Sequence, residues 1–471
     1  MLTLTVATLV EVVGGELIVG SESGMVNGVA IDSRQTETGM AFIALPGARV
    51  DGHRFIGDAV AAGARAIIVT EAPEMTAEPY AEISRRRDVA IIRVADSVLA
   101  LQDLASHHRS RLFCPVIGVT GSTGKTTTKD YLTAVLSVSR RVVATMGNQN
   151  NELGVPLTVL RAGADTDVLV VEMAMRGEGQ IARLCEIARP TAGLVTNVGT
   201  SHIEILGTQE AIASAKGELL RAIPAGGKVF LNGDDHLSVS LAANLEADIV
   251  LYGLSESADV RAESVRIDDA SCATFELVTP YGSREVALAI PGRHNVYNAL
   301  AAAAVALDLG VALEDIVSGL EAARSGEMRM QTFETAAGIQ VINDAYNANP
   351  SSMRAAIETL AEIGTTGRRI AVLGDMAELG SLTELAHFKI GEQVAVLGLD
   401  VLVTVGEKAR RIADAARAGG MDDTDIRPCA TVEEAGEVLD DLLEPDDVVL
   451  VKASRSMGLE RVVEGIVEPR V

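Results

Sequence analysis

From Val116 onward, short apolar runs alternate with amphipathic stretches, the pattern of βαβ units that build a parallel sheet flanked by helices. It predicts strands at 115–119, 167–171, 192–195 and 228–231. Between 259 and 290 polar and apolar positions alternate with no helical period, which predicts an antiparallel excursion. An alanine-rich helix follows over about 295–309. A second α/β series begins near residue 327, with strands at 339–343, 369–373, 401–405 and 448–452, and Ser325-Gly326-Glu327 reads as a hinge before it. The first 112 residues make a further unit, with strand-like segments at 40–45 and 66–69 and a boundary near 111–115. The expected architecture is α/β in three domains: a smaller α/β unit over 1–112, a central parallel sheet over 113–326 and a second, C-terminal α/β unit over 327–471.

A length of 471 residues suits three domains of roughly 150 residues each. The formal charge of −25 argues against wholesale binding to nucleic acid or to acidic membranes, so an anionic ligand must be met by local groups. The acidic positions Asp422, Asp423, Asp425, Glu444, Asp446 and Asp447 read as solvated surface. Cys114, Cys185, Cys272 and Cys429 lie far apart with no zinc spacing, which suits a reduced, cytoplasmic protein. Residues 1–20 lack a basic leader and carry Glu11 and Glu16, so no signal peptide is expected. The most apolar later stretch, 299–313, is interrupted by Asp308 and falls short of the ~18 residues of a membrane span.

Chemistry enters at Gly118-Val-Thr-Gly-Ser-Thr-Gly-Lys-Thr-Thr-Thr128. An apolar strand, a glycine-rich turn and a following helix place backbone N–H groups around phosphate oxygens. Gly121, Ser122, Thr123, Gly124 and Thr127 would form the cradle, Lys125 would reach the terminal phosphates and Thr126 would ligate magnesium. The match to G-x-x-x-x-G-K-[ST] is imperfect, because Val119 stands where the first glycine belongs. Glu172, closing the next strand, sits where a second acidic magnesium contact belongs, or is an ordinary strand-end residue. His202, in Gly199-Thr-Ser-His202, is a loop residue or a ligand; Lys216, on a helical stretch over 210–221, is a snorkelling surface lysine or a site residue.

These pieces together resemble the Mur ligase family of ATP-dependent amide-bond enzymes: G-x-T-G-[ST]-x-G-K-T-[TS], a strand ending in Glu172, Asn197-x-x-x-x-His202, Lys216-Gly-Glu and Gly292-Arg-His-Asn-Val-Tyr-Asn298. The resemblance covers all three domains, and the family's loop starts its glycine one residue earlier, at Gly118. Gly147-Asn-Gln-Asn-Asn-Glu-Leu-Gly-Val-Pro156, Asn343-Asp-Ala-Tyr-Asn-Ala-Asn-Pro-Ser-Ser-Met353 and Leu373-Gly-Asp-Met-Ala-Glu-Leu-Gly380 resemble family members whose incoming amine is D-alanyl-D-alanine.

The resemblance implies ATP and two Mg2+ ions, held by Thr126, Glu172, His202 and Lys216, the last as a carbamate formed with carbon dioxide. It implies Lys125, Lys216 and His202 as catalytic groups, and Asn295, Asn298, Arg329 and Asp344 as further ATP contacts. Asn150, Asn151, Tyr346, Asn347, Asn349, Lys452, Ser454 and Arg455 would contact substrate, and Ser33, Arg34, Asp51, Gly52 and His53 would hold the UDP end of UDP-N-acetylmuramoyl-tripeptide. On residue types alone, Asn295 and Asn298 also suit helix packing, and the N-terminal group suits a capped turn and a surface ion pair. The central domain would be of the P-loop ATPase type and the C-terminal one Rossmann-like, closing over ATP in a chain expected to be monomeric. Three rivals stay open: a relative adding a single amino acid, a folylpolyglutamate-type ligase, and a nucleotide-switched binding protein.

Overall fold

The computed structural model describes residues 2–47, 50–70, 88–243 and 245–467. Three main sheets follow one another along the chain. The first has five strands in the order Glu16–Val19, Ala90–Arg93, Ala66–Val69, Ala41–Ile43, Val29–Ala30, parallel except for the first. A short pair, Thr3–Thr5 with Met25–Asn27, lies beside it.

The central sheet has nine strands. Its parallel part runs Val260–Ile267, Asp248–Gly253, Lys228–Asn232, Ala192–Val195, Val116–Thr120, Val168–Glu172, Val142–Ala144, and an antiparallel extension adds Ala273–Thr279 and Gly282–Ala287. The expected 259–290 excursion is antiparallel only from its second strand onward, because Val260–Ile267 still pairs in parallel with Asp248–Gly253; in Ala273–Thr279 every second residue is buried, the period of a strand with one covered face. The third sheet runs Gln331–Glu334, Gln340–Asn343, Val448–Lys452, Arg369–Gly374, Val401–Val405, Ile426–Cys429, with only the first strand antiparallel.

The apolar stretch after 295 is a core helix. Asn295–Asp308 buries Val296 and an unbroken run from Ala299 to Ala306, packed against the helix Lys125–Ser137 that follows the phosphate loop. Among the described residues no helix is long and apolar enough to cross a membrane, and all four cysteines are free.

The helix Ser97–Arg109 joins the first sheet to the second by packing on Gly154–Arg161 and Gln180–Ala188. Arg109 is buried there, its guanidinium donating to the carbonyls of Ala188 (2.7 Å), Leu112 (2.8 Å) and Arg189 (3.1 Å), which replaces the water it gives up. One acidic residue departs from the surface reading. Asp447 is 1 % exposed; burial would raise its pKa, but Arg368 (2.7 and 3.1 Å) and the backbone N–H groups of Glu444 and Arg368 bring it below the ordinary carboxylate value.

Candidate functional site

Both larger sheets point the C-terminal ends of their strands at one cleft, where open α/β sheets bind ligands. A cavity of about 560 Å³ fills it. The phosphate loop forms its floor between Val116–Thr120 and Lys125–Ser137. Gly121 (φ 149°) and Gly124 (φ 79°) are required there: a Cβ on Gly121 would stand 1.8 Å from Oγ1 of Thr196, and one on Gly124 2.4 Å from Oδ1 of Asn298. Gly118 has a different task. It lies inside the strand, where a Cβ would meet Leu219 at 2.6 Å, so it admits the helix Gln209–Arg221, and Val119 is simply a buried strand residue.

Asn197, part of the quoted motif but not assigned a role by it, locks the loop. Its Oδ1 accepts from the N–H and the hydroxyl of Thr123 (both 3.1 Å), and its Nδ2 donates to the Thr123 carbonyl (3.1 Å). Ser122 Oγ accepts from Gly199 N (2.8 Å). Lys125 lies back over the loop, its Nζ donating to the carbonyls of Gly121 (2.8 Å) and Ser122 (3.4 Å). Burial lowers its pKa, an effect Glu172 opposes and Arg329 reinforces. Thr126 and Thr127 also line the cavity.

Glu172 ends its strand 1 % exposed, accepting from Thr126 Oγ1 and from Asn150 Nδ2, each at 2.8 Å. A hydroxyl and a carboxylate in contact beside a phosphate loop are hard oxygen donors that fit magnesium, which keeps several waters and uses substrate phosphates for the rest. No three His, Cys, Asp or Glu side chains converge on a metal position among the described residues. Asn151 is turned elsewhere, its Oδ1 accepting from Leu153 N (3.3 Å) and Gly154 N (3.0 Å) to start the next helix.

Lys216 is 2 % exposed, which rules out the snorkelling reading. Its Nζ donates to the Gly121 carbonyl at 2.8 Å, and burial, with Lys125 nearby, holds its pKa well below the usual lysine value. The lowered pKa brings the neutral amine, the form that reacts with carbon dioxide, within easier reach than in an exposed lysine. His202 occupies a left-handed position (φ 64°) at the rim. Its Nδ1 stands 2.7 Å from Glu378 Oε2, off the line a hydrogen bond needs. Burial lowers the imidazole pKa; Glu378 counters this, while Lys125 and Lys216 add to it.

Asn295 and Asn298 line the cavity but are largely committed to one another. Asn295 Nδ2 donates to the Pro291 carbonyl (2.7 Å), Asn298 Nδ2 to Asn295 Oδ1 (2.9 Å), and Asn298 Oδ1 accepts from Thr128 Oγ1 (3.1 Å). His294, which sequence reasoning passed over, lines the cavity beside them, with the positive-φ Gly292 against its ring. Burial lowers its pKa to about 4, Asp344 raising it and Lys452 lowering it. The unfolded chain therefore binds a proton that the folded one refuses between pH ~6.5 and ~4, so this contribution favours folding above that window and is lost as pH falls through it. Comparing melting temperatures at pH 7 and 4.5 should show His294→Asn losing less stability than the wild type, by on the order of 2 kcal/mol. An equal loss in both would contradict this.

From the C-terminal side, Met328 (φ 54°) and Met330 (φ 52°) flank Arg329 in left-handed conformations that cost about 1–3 kcal/mol each. The strained turn lays the Arg329 guanidinium over the Tyr346 ring, 3.9 Å from its centroid, at the cavity wall. Asp344 and Lys452, at the ends of adjacent strands, form an ion pair (2.5 Å), and Lys452 also donates to the Asn347 carbonyl (2.9 Å). With 2 % exposure, Lys452 braces the cavity from within.

A second cavity, about 330 Å³, continues from the first, and the two share Ser122, Lys125, His202, Tyr346, Asn347 and Asn349. Asn349 caps the helix Pro350–Glu362 through a capping box with Ser352, so part of the Asn-Ala-Asn-Pro string is helix-start chemistry. Its Nδ2 also donates to Ser201 Oγ (3.0 Å), tying the two domains together. Ser454 and Arg455 line only this second cavity: Ser454 Oγ accepts from Ala377 N (2.8 Å), and Arg455 is half-exposed.

The N-terminal residues lie apart from both cavities. Asp32 caps a short turn and pairs with the exposed Arg34 (2.7 Å), with Ser33 between them. Asp51 caps the next turn and holds His53 (2.7 Å), and Gly52 packs so closely on Leu45 that a Cβ would come within 2.7 Å of its nitrogen. The capped turn and the surface ion pair are both present.

Comparison with known proteins agrees with this anatomy. The family model for the Mur ligase middle domain matches residues 119–306, that for the Mur ligase glutamate ligase domain matches 328–455, and that for the Mur ligase family catalytic domain matches 25–109. The chain is 39% identical to UDP-N-acetylmuramoyl-tripeptide–D-alanyl-D-alanine ligase of Mycobacterium bovis, over 99% of this chain and 98% of the relative. It is similar to the crystal structure of MurF from Acinetobacter baumannii (TM-score 0.86, 33% identity, 99% of each chain). It is similar also to the MurF ligase of Thermotoga maritima solved in complex with ADP (TM-score 0.77, 29% identity, 93% of this chain and 96% of that one).

Proposed function

The chain belongs to the Mur ligase family, and from that premise we propose that it is the ATP-dependent ligase that joins D-alanyl-D-alanine to UDP-N-acetylmuramoyl-tripeptide in peptidoglycan precursor synthesis. The observation that carries this reading is the pair of joined cavities: one lies on the phosphate loop, the other on C-terminal loops, and Lys125 and His202 border both.

A peptide carboxylate is a poor electrophile, because its charge repels an amine and oxide is a poor leaving group. Moving the γ-phosphoryl group of ATP onto it makes an acyl phosphate. The free amine of the dipeptide attacks the acyl carbon, gives up a proton as the C–N bond forms through a tetrahedral intermediate, and inorganic phosphate leaves. The Lys125 ammonium and the loop N–H groups stabilise charge on the phosphates, and Arg329 and Tyr346 cover the nucleotide. Thr126 and Glu172 would hold one magnesium ion, and His202 with a carbamylated Lys216 a second; when bound, these ions neutralise phosphate charge. Asn295 and Asn298 bound the adenine side. Domain 113–326 takes ATP, domain 327–471 closes over it and takes the dipeptide, and domain 1–112, through Ser33, Arg34, Asp51, Gly52 and His53, takes the UDP end. The enzyme acts as a cytoplasmic monomer, where ATP is available and four free cysteines persist.

The test is phosphate release from ATP in the presence of the UDP-linked tripeptide, with D-alanyl-D-alanine scanned against single amino acids. Release should require both the tripeptide and D-alanyl-D-alanine. Release without an acceptor would replace this reading with a nucleotide switch, and release with a single amino acid would replace it with another ligase of the family.

A further inference from the structure

Where parallel strands end, their ladder hydrogen bonds end too, and the backbone beyond needs other partners. Four neighbouring strands of the central sheet, Val116–Thr120, Ala192–Val195, Lys228–Asn232 and Asp248–Gly253, end side by side in this way. Each exit is braced by the next one. The phosphate loop leans on residues 196–199: besides the Asn197 lock, Ser122 N donates to the Asn197 carbonyl (3.0 Å) and Thr196 Oγ1 to the Thr123 carbonyl (2.6 Å). That segment has its own support. The N–H of Val198, a buried residue, donates to Oδ2 of Asp235 at 2.7 Å, and the buried Tyr252 hydroxyl donates to the Val195 carbonyl at 3.0 Å. Asp234 turns the other way and accepts from Leu254 N (2.5 Å) and Ser255 N (3.2 Å) at the following exit. Asp235 lines the larger cavity with its lone pairs taken up by three donors. Oδ1 accepts from Leu237 N (3.1 Å), and Oδ2 accepts from Ser238 Oγ (2.7 Å) as well as from Val198. Capping the short helix His236–Ser240 accounts for Leu237 and Ser238. It does not account for Val198, which belongs to the neighbouring strand's exit.

Resting on the ligase reading above, in which the phosphate loop takes ATP, we infer that Asp235 is a positioning residue for that loop and acts through Val198. Asn197, which locks Thr123, precedes Val198, and Gly199, which donates to Ser122, follows it. Fixing the Val198 N–H therefore sets both locks at once. The bond is charge-assisted, so it holds the segment more firmly than a neutral acceptor would. Loop N–H groups held in place from behind meet phosphate oxygens without reorganising, which is the condition for stabilising charge there. The role needs two acceptor oxygens on one short side chain, one for the cap and one for Val198. Serine and asparagine cap helices as well as aspartate does but supply a single oxygen.

Two probes test this on the full-length protein: ATP, and inorganic tripolyphosphate, which has neither base nor sugar and reports on the phosphate loop alone. Asp235→Asn and Asp235→Ser should weaken both probes by about ten- to a hundredfold and leave the KM for D-alanyl-D-alanine where it was. Asp235→Glu, which keeps both oxygens, should recover part of the affinity. Asn197→Ala should weaken both probes too, and Asp235→Asn added to it should cost little more, because the two act through one segment. A loss for ATP alone would place Asp235 against the nucleoside and overturn the assignment. So would unchanged binding of both probes, or an Asp235→Asn effect that adds in full to that of Asn197→Ala, either of which would leave Asp235 as a helix cap only. A wild type that binds neither probe would overturn the ligase reading instead.

Discussion

Lys125→Met is expected to lower ATP-dependent amide formation by at least about 10³-fold, ~4 kcal/mol of transition-state stabilisation, without lowering the melting temperature. The two halves of this result have one cause. Lys125 is an ammonium in a site that lowers its pKa by burial, and its present partners are carbonyls of its own loop, Gly121 and Ser122. Exchanging it for an apolar chain of similar length removes a desolvation penalty from the folded state. The same exchange removes the cation on which charge moving between phosphates depends. Phosphate release and a thermal melt on one preparation test both. Retained activity would show that the loop N–H groups suffice, and a sharp loss of stability would make Lys125 a structural strut.

The second large effect is expected at Lys216. Lys216→Met should lower turnover by about 10²–10³-fold, as Lys216→Ala should, although methionine fills nearly the same space. Its hydrogen-bond partner, the Gly121 carbonyl, also accepts from Lys125 Nζ, so the backbone stays satisfied when Lys216 is replaced. A purely packing role would leave the methionine variant active. The carbamate reading adds a signature that packing cannot mimic: wild-type activity should fall in buffers stripped of carbon dioxide and return with bicarbonate. Burial and Lys125 depress the amine pKa, so the neutral form able to react is present at lower pH than for an exposed lysine. Insensitivity to bicarbonate together with an active methionine variant would remove Lys216 from the chemistry.

Legibility in the sequence followed strand length and burial. The stretches 192–195, 401–405 and 448–452 are strands with the expected limits, because each is an apolar run covered on both faces. The three-residue strand Val142–Ala144 lies at a sheet edge, and Ile426–Cys429 carries Pro428, which an edge strand tolerates but which reads as a breaker. The same divide runs through the site. The phosphate loop could be read because its backbone chemistry is local, whereas Glu378 and His294 fell inside quoted strings without a role of their own: the surroundings of each come from residues far along the chain, His202 for one and Asp344 and Lys452 for the other.

By itself the sequence determined the order of α/β units, the phosphate loop with Lys125 and Thr126, and the strings that resemble one family, since these depend on neighbours in the chain. Only the tertiary structure decided the rest. It showed that Gly118 serves helix packing, that Lys216 is buried against the loop, that Asn349 is both a helix cap and a bridge between domains, and that Asp447 is a buried partner of Arg368. The physical reason is that burial, and with it the pKa and hydrogen-bond options of a side chain, depends on which distant surfaces pack around it.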